Sequence, residues 1–351
     1  MKWSAFLRCP LAAVVVWLVL AAGLTACGGD GPPQRVTVPP GASFRVATDS
    51  LVERGIVRYP RVFRAYAKFA QRDRSIRAGT YEFRAGQGWD EILASLAGGK
   101  SLSHTFTIPE GYSLVGIRGV VSESLDVPPE SLDVAARDTA LLRKLDVPTP
   151  TLEGYLFPDT YTFPPGATAR DVVATMTARF EDQWQEEWNP LIQAMAMSRH
   201  DIVSLAAIIE KEARLPEERA VISAVYHNRL KIRMPLQADP TVQYALGKHV
   251  ERVLYKDLEI DSRYNTYKYP GLPPGPIASP GAASLEAAVK PAQVPYLYFV
   301  AHPDGHHEFR RTFREHVQAI GQMKQARRAL DAARPKGSND SKDSKGAKKA
   351  R

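Results

Sequence analysis

Cysteine is nearly absent from this chain, and the few cysteines lie near its N-terminus. Among 351 residues only Cys9 and Cys27 are cysteine, so none follows position 27. A disulfide framework and a catalytic thiol are therefore excluded for the long remainder of the chain.

Several nucleotide and hydrolase motifs are missing as well. The sequence has no P-loop, no glycine fingerprint for dinucleotides and no Gly-x-Ser-x-Gly elbow. His302, His306, His307 and Glu308 straddle a tight hairpin in which alternating side chains point to opposite faces, so they do not form a set with zinc-site spacing. We therefore predict neither a metal nor another cofactor.

Positive charge is concentrated at the two ends of the chain. The formal net charge is +8, but residues 334–351 hold seven basic residues against two aspartates, and Lys2 and Arg8 lie at the other end. Only +1 remains for everything between, so the charge does not indicate a nucleic-acid surface and no nucleic-acid partner is predicted. Residues 329–351 are predicted to form a basic disordered tail.

The N-terminal residues 1–30 have the pattern of an export signal or a membrane anchor. Lys2 and Arg8 precede an apolar stretch, and 21 uncharged residues run from Cys9 to Gly29. As a helix this stretch is about 31 Å long, enough to span a bilayer once. This interpretation predicts a single-pass protein of the bacterial inner membrane, with the following residues in the periplasm.

An alternative interpretation is a lipoprotein. Leu24, Thr25, Ala26 and Cys27 resemble a bacterial lipobox, in which the signal is cleaved and Cys27 is lipidated. Both interpretations export the rest of the chain. Residues 31–41, rich in glycine and proline, are then predicted to be a linker.

Turn residues and apolar periodicity predict a small α+β domain at residues 42–105 and a larger mixed α/β domain at 106–328. In the small domain we expect strands at 44–46 and 76–83 and helices at 51–57, 60–71 and 89–96. The strand, helix, helix, strand order resembles a LysM-type glycan-binding module; the alternative is a spacer without a ligand. In the larger domain we expect helices at 113–121, 130–145, 169–185, 201–214 and 217–230 and a hairpin of strands 296–302 and 306–312.

Glu210 is the most informative single residue, because it ends an otherwise apolar helical segment. At about 100° per residue, Glu210 shares a face with Val203 and Ala206, whereas Glu212 points almost the opposite way. Small neighbours leave space for a ligand, and partial burial favours the protonated carboxyl that a general acid requires. The alternative is a surface ion pair with Arg214, four positions on.

Three polar blocks accompany this helix, and each combines aromatic or amide side chains with turn residues. Aromatic faces and amide groups suit sugar recognition. Capping or buried turns are the alternative for the first two blocks. The blocks are residues 153–161 (EGYLFPDTY), 236–242 (LQADPTV) and 264–277 (YNTYKYPGLPPGPI).

Together with the helix segment LAAIIEKEA at 205–213 and YHNRL at 226–230, these blocks resemble the YceG-like endolytic murein transglycosylases. The resemblance covers roughly residues 42–325 in family order. It implies that Glu210 is catalytic and cleaves the MurNAc–GlcNAc β-1,4 bond inside glycan strands without water. Glu210 would act first as acid and then as base on the sugar's own 6-hydroxyl.

The resemblance also implies partners and a binding surface. Its partners are peptidoglycan glycan strands, the membrane through the N-terminus, and peptidoglycan synthases. A lipobox departs from the transmembrane anchor expected of the family. The residues that we predict to contact substrate are Tyr155, Asp159, Gln237, Asp239, Thr241, Asn265 and Tyr267.

Two other functions remain open from the sequence. A muramidase-type hydrolase would pair Glu210 with a second carboxylate about 5 or about 6.5–9.5 Å away. Asp159 and Asp239 are the candidates for that carboxylate. A non-enzymatic peptidoglycan-binding scaffold would need neither carboxylate.

Overall fold

The chain divides into two units in the computed structural model, which describes residues 31–39, 41–98, 102–247 and 253–333. The first unit runs to Phe106 and adds Tyr161–Ala167, and the second comprises Thr107–Thr160 and the residues from Thr168 onward. No helix in these described ranges is both long and apolar enough to cross a membrane. The predicted anchor, Cys27 and most of the predicted tail lie outside the described residues.

The core of the first unit packs on an antiparallel strand pair in which Val36 lies opposite Tyr81. Its core is aromatic and aliphatic: Phe63, Tyr81 and Phe83 are almost fully buried. In chain order its elements are β1 (Pro33–Val38), α1 (Phe44–Glu53), α2 (Pro60–Phe69), β2 (Gly79–Arg84) and α3 (Trp89–Gly98).

Two expectations for this unit are wrong. The segment predicted as a linker contains β1, because Val36 and Val38 alternate with polar residues and bury one face of the strand. Residues 44–46, predicted as a strand, open α1 instead, since Ser43 caps the helix by accepting from the Val46 N–H at 3.4 Å. The strand, helix, helix, strand order therefore holds with its first strand about ten residues earlier.

A short strand pair, β3 (His104–Thr107) with β4 (Thr160–Phe163), follows. Next come α4 (Leu114–Leu125), α5 (Pro129–Ala135), α6 (Thr139–Lys144), α7 (Ala169–Gln183) and α8 (Trp188–Ala194). The single helix predicted at 130–145 is split, because Asp138 accepts hydrogen bonds from the N–H groups of Ala140 and Leu141 and starts a new helix.

The second unit is centred on α9 (Arg199–Glu212), whose residues 202–209 are all buried. Ser198 and Asp201 form a capping box at its start, so the helix begins two residues before the predicted Asp201. Packed on α9 are α10 (Arg219–Lys231), α11 (Asp239–Leu246) and α12 (Ala282–Val289). This arrangement carries Glu210 to the C-terminal end of a rigid, buried helix.

The remaining elements close the unit. The predicted hairpin is confirmed as β5 (Tyr298–Ala301) and β6 (His307–Arg310), with Val300 opposite Glu308. Gly305 in its turn has φ +99°, a left-handed conformation that glycine adopts without strain. The last described helix is α13 (Phe313–Ala333). As a whole, the described chain has the mixed α/β character expected from the sequence.

Candidate active site

Glu210 lies in a polar niche, with 7% of its side-chain surface exposed. Its Oε2 accepts a hydrogen bond from the backbone N–H of Gly281 at 3.0 Å. Its Oε1 lies 3.7 Å from a guanidinium nitrogen of Arg219. The alternative of a surface pair with Arg214 is therefore wrong. The N–H and the guanidinium both stabilise a negative charge on this carboxyl.

Arg219 lies between two carboxylates. It is the first residue of α10, and its Nε donates to the Ser284 hydroxyl on α12 at 3.2 Å. The nitrogen that faces Glu210 is also 4.0 Å from Oε2 of Glu110. One guanidinium thus serves Glu110 and Glu210 together.

Glu110 is the functional candidate that sequence reasoning missed. It lies in the loop after β3, with half of its side-chain surface exposed. Burial, and then the negative charge of Glu210, raises the pKa of Glu110, while Arg219 opposes the shift. The only available signal was a lone acidic residue in the Ile-Pro-Glu-Gly turn that opens the larger unit.

The backbone at Gly281 lies next to the carboxylates of both Glu110 and Glu210. Its N–H binds Glu210, and a Cβ at this position would lie 1.9 Å from Oε1 of Glu110. Any side chain here must displace the Glu110 carboxyl. Glycine therefore leaves room for both acidic groups beside the start of α12.

Two loops are tied together to hold this arrangement. The Gly111 N–H donates to the Ser279 carbonyl at 2.8 Å, and the Ser279 N–H donates to the Tyr112 carbonyl at 2.8 Å. Lys211, next to Glu210, donates from Nζ to the Gly111 carbonyl at 3.3 Å. The positions of Glu110 and Gly281 are thus fixed by backbone contacts between segments that are far apart in sequence.

A cavity of about 500 Å³ adjoins this niche. Gly111 links the two, because it lines the cavity and a Cβ on it would lie 3.6 Å from Cγ of Glu210. The cavity wall combines polar and apolar side chains, as sugar sites do. Its lining residues are Gly111, Ser113, Val115, Glu153, Lys211, Pro240, Gln243, Tyr244, Gly247 and Ile277.

Glu153 is the buried acidic residue of this cavity, with 6% of the residue exposed. Its oxygens accept from the Leu114 N–H at 2.9 and 3.2 Å and from the Tyr244 hydroxyl at 3.3 Å. Burial outweighs these hydrogen bonds and raises the pKa of Glu153 to about 7. The group therefore titrates near neutral pH.

The opposite face of α9 holds a second acidic cluster. Glu212 accepts a hydrogen bond from the Tyr226 hydroxyl at 3.2 Å. Burial, and then the charge of Asp239, raises the pKa of Glu212 to about 7. Asp239 accepts from the Tyr267 hydroxyl at 2.5 Å. The structure therefore brings two predicted site residues, Asp239 and Tyr267, together on the Glu212 side.

Three predicted substrate contacts are fully buried and hold the fold instead. The Tyr155 hydroxyl is 2.9 Å from Nδ1 of His200, and its ring packs on Phe180. The Thr241 hydroxyl donates to the Ala238 carbonyl, and the Asn265 amide donates to two carbonyls of its own loop. The exposed fractions of Tyr155, Thr241 and Asn265 are essentially zero, so in this structure their polar groups are satisfied inside the fold.

The other two predicted residues lie apart from Glu210. Asp159 accepts from Nε of Arg179 at 2.7 Å, and its hydrogen bonds, first that from the Thr160 N–H, lower the pKa of Asp159. Gln237 is exposed and has φ +51°. Within the described part of the chain neither residue contacts Glu210, whereas Glu110 shares Arg219 with it.

The histidines near the hairpin lie against carboxylates. Nδ1 of His307 is 2.6 Å from Glu218, and Nε2 of His302 is 2.9 Å from Glu308. In the part of the chain that the structure describes, no group of three or more His, Cys, Asp or Glu side chains is arranged to hold a metal ion.

The fold agrees with comparisons to known proteins. The model of the YceG-like family matches residues 36–322, and the chain belongs to that family. A relative in Bacillus subtilis, named endolytic murein transglycosylase, is 35% identical over 300 residues, covering 81% of this chain and 83% of the relative.

Two further similarities support the assignment. A Streptococcus pneumoniae protein with the same name is 29% identical over 297 residues; the match covers 76% of this chain but 54% of that protein, about half of its length. The crystal structure of a yceG-like protein from Listeria monocytogenes superposes with a TM-score of 0.58 at 32% identity. That match covers 83% of this chain and all of the other.

Proposed function

We propose that this chain is an endolytic murein transglycosylase that uses Glu210 to cleave the MurNAc–GlcNAc β-1,4 bond within glycan strands. The observation that carries the proposal is the position of Glu210: a nearly buried carboxyl at the end of a buried helix, beside a cavity with polar and apolar walls. Family membership and the names of the relatives support the same reaction class.

In the proposed reaction Glu210 works twice. Its proton passes to the glycosidic oxygen as the bond from that oxygen to C1 of MurNAc breaks. The 6-hydroxyl oxygen of the same sugar then bonds to C1, and its proton returns to Glu210. The products are a free 4-hydroxyl on GlcNAc and a 1,6-anhydro ring on MurNAc. No water is consumed, and the enzyme ends in its starting protonation state.

The cavity supports saccharide binding next to Glu210. Ser113, Gln243 and Tyr244 supply hydroxyl and amide groups, and Glu153 supplies a carboxyl at its buried side. These groups exchange hydrogen bonds with sugar hydroxyl and acetamido groups, while Val115 offers an apolar surface. Gln237, Asp239 and Tyr267 remain proposed substrate contacts on the exposed side of the Glu212 cluster.

The remaining chain is proposed to hold the catalytic unit at the wall. Residues 1–30 would anchor the protein in the inner membrane or carry lipid on Cys27, and the first unit would bind glycan in the manner of a LysM module. Peptidoglycan synthases are proposed partners. Intact mass of the membrane-extracted protein distinguishes the anchors, since a lipoprotein begins at Cys27 with added acyl mass.

The function is tested with full-length protein in detergent and uncrosslinked glycan strands. Fragments from internal cuts that carry 1,6-anhydro ends support the proposal, and Glu210→Gln should abolish them. Cleavage with reducing ends would establish the muramidase-type hydrolase instead. Glycan binding without cleavage by the wild-type protein would favour the scaffold.

A further inference from the structure

We propose that Glu110 is a positioning residue for Glu210, whose carboxylate shares Arg219 and so keeps a proton on Glu210 available for the leaving oxygen. The inference rests on the proposed lyase function. It assigns a role to a group in a loop 100 positions away that neither the motif blocks nor the comparisons single out.

The need for such a residue follows from the contacts of Glu210. A general acid must hold a proton near the working pH. The Gly281 N–H at 3.0 Å and the Arg219 guanidinium at 3.7 Å both favour the ionised carboxylate. A general acid in this position therefore needs a neighbour that opposes the two stabilising contacts.

Glu110 supplies the opposing charge. Its Oε2 is 4.0 Å from the same Arg219 nitrogen that faces Glu210, so the guanidinium charge is shared between two carboxylates. The charge of Glu210 raises the pKa of Glu110, and like charges repel each other, so a charge on Glu110 opposes a second negative charge across the shared guanidinium.

The other charged groups around Glu210 do not replace this effect. Lys211, its neighbour on α9, extends to the Gly111 carbonyl, and Glu212 faces Tyr226 on the other side of the helix. From α12 the contacts are the Gly281 N–H and, through Arg219, the Ser284 hydroxyl, neither of which is charged. Arg219 on α10 and Glu110 are thus the charges that set the balance.

The surroundings of Glu110 also argue against a purely structural role. Within the described residues its carboxylate makes no hydrogen bond, and half of its side-chain surface is open. Its polar contact is with Arg219, and it occupies the space that Gly281 leaves free. A carboxylate held in this way costs desolvation and contributes little to folding, which is typical of groups retained for chemistry.

The test is the pH profile of kcat/KM for anhydro-end formation by the full-length protein. Activity falls on the alkaline side as Glu210 loses its proton. In Glu110→Gln this fall should begin about one pH unit lower, giving about a tenfold loss at alkaline pH and little loss on the acid side. Arg219→Gln should move this alkaline fall in kcat/KM, the alkaline limb of the profile, to higher pH. In the double variant the limb should lie between those of the two single variants.

Controls separate the proposal from a folding defect. Glu110→Asp keeps the charge and should keep the wild-type limb, whereas Glu286→Gln, which removes an exposed carboxylate paired with Lys290, should change nothing. Equal losses in Glu110→Gln at every pH, or an unshifted limb, would overturn the inference. Reducing ends or no cleavage in the wild type would instead overturn the proposed function.

A measurement that does not depend on turnover distinguishes failure of the inference on Glu110 from failure of the proposed function. The carboxyl carbon of Glu210, followed by NMR in labelled protein, should titrate at lower pH in Glu110→Gln than in the wild type. An unchanged titration would refute the role of Glu110 whatever the products are.

Discussion

The last turn of α9 carries two glutamates, Glu210 and Glu212, whose surroundings differ although both have an arginine and a second carboxylate nearby. Glu210 faces a backbone N–H and the Arg219 guanidinium, next to an open cavity. Glu212 faces the Tyr226 hydroxyl and the charge of Asp239, and its pKa is raised to about 7.

The difference teaches that a raised pKa alone does not identify the acid of this site. Glu212 and Glu153 both titrate near neutral pH because they are buried. Glu210 instead accepts a hydrogen bond from the Gly281 N–H on one oxygen and has the Arg219 guanidinium 3.7 Å from the other, with a second carboxylate, Glu110, across that guanidinium. Such a balanced setting lets a carboxyl give up a proton and take it back during one reaction.

The largest expected effect distinguishes Glu210 from Glu212, which lie on opposite faces of α9. Glu210→Gln should lower the rate of glycan cleavage by about 10³-fold, because a proton donor and acceptor is lost. Glu212→Gln should lower it by less than about tenfold, since an amide keeps the shape of the cluster. Initial rates of anhydro-end formation measure both. Equal losses in the two variants would remove the distinction between the faces.

Gly281→Ala tests the setting of Glu210 by displacing the Glu110 carboxylate instead of removing its charge. The new Cβ must push the flexible Glu110 carboxyl away, which costs little stability but separates it from Arg219. We expect about a tenfold loss of rate at alkaline pH and a shift in unfolding free energy below about 1 kcal/mol. Gly119→Ala on α4, where a Cβ meets nothing within 4 Å, is the matched control. A large stability loss with a uniform rate loss would contradict this view.

The ionisation of Glu212 and Glu153 should make the stability of the folded protein depend on pH. Their folded pKa values, about 7, exceed those of an unfolded glutamate near 4.5, so the folded state binds more protons between these values. The stability they contribute is present below about pH 4.5 and is lost as pH rises through about 7. The temperature at the midpoint of thermal unfolding should therefore decrease as the pH rises from 5 to 8.

Glu212→Gln should reduce that fall by about 3–5 °C, because an amide does not ionise. Thermal melts of both proteins at pH 5 and 8 provide the measurement. A slope unchanged by the substitution would show that Glu212 titrates normally.

The smallest expected effect concerns a residue first predicted to bind substrate. Tyr155→Phe removes the hydroxyl that pairs with His200 at 2.9 Å within the core. It should destabilise the protein by about 1 kcal/mol and leave the KM for glycan unchanged. Denaturant unfolding and steady-state kinetics test the two parts. A raised KM with unchanged stability would restore Tyr155 as a substrate contact.

Periodicity predicted much of the fold. The helix with Glu210, the helix at 60–71 and the hairpin around Gly305 all follow from local patterns and were confirmed. The strand at Pro33–Val38 was missed because the prolines and glycines around it indicate a linker, while its strand partner lies more than forty residues away. Local sequence patterns do not reveal a strand partner that lies so far along the chain.

The candidate site was predicted only in part for the same reason. Glu210 stands out because its helix is otherwise apolar, and its separation from Glu212 follows from helical geometry. Glu110, Arg219 and Gly281 come from three other segments, so only tertiary contacts join them. Asn265 and Thr241 look like sugar contacts in sequence, but both satisfy their polar groups inside the fold.

Cleavage in water enriched in oxygen-18 tests most directly the claim that Glu210 works with the sugar's own hydroxyl. The account predicts that fragments made by the wild-type protein carry anhydro ends without the heavy isotope at C1. Incorporation of one oxygen-18 atom per cleaved bond would contradict it, because water would then be the nucleophile.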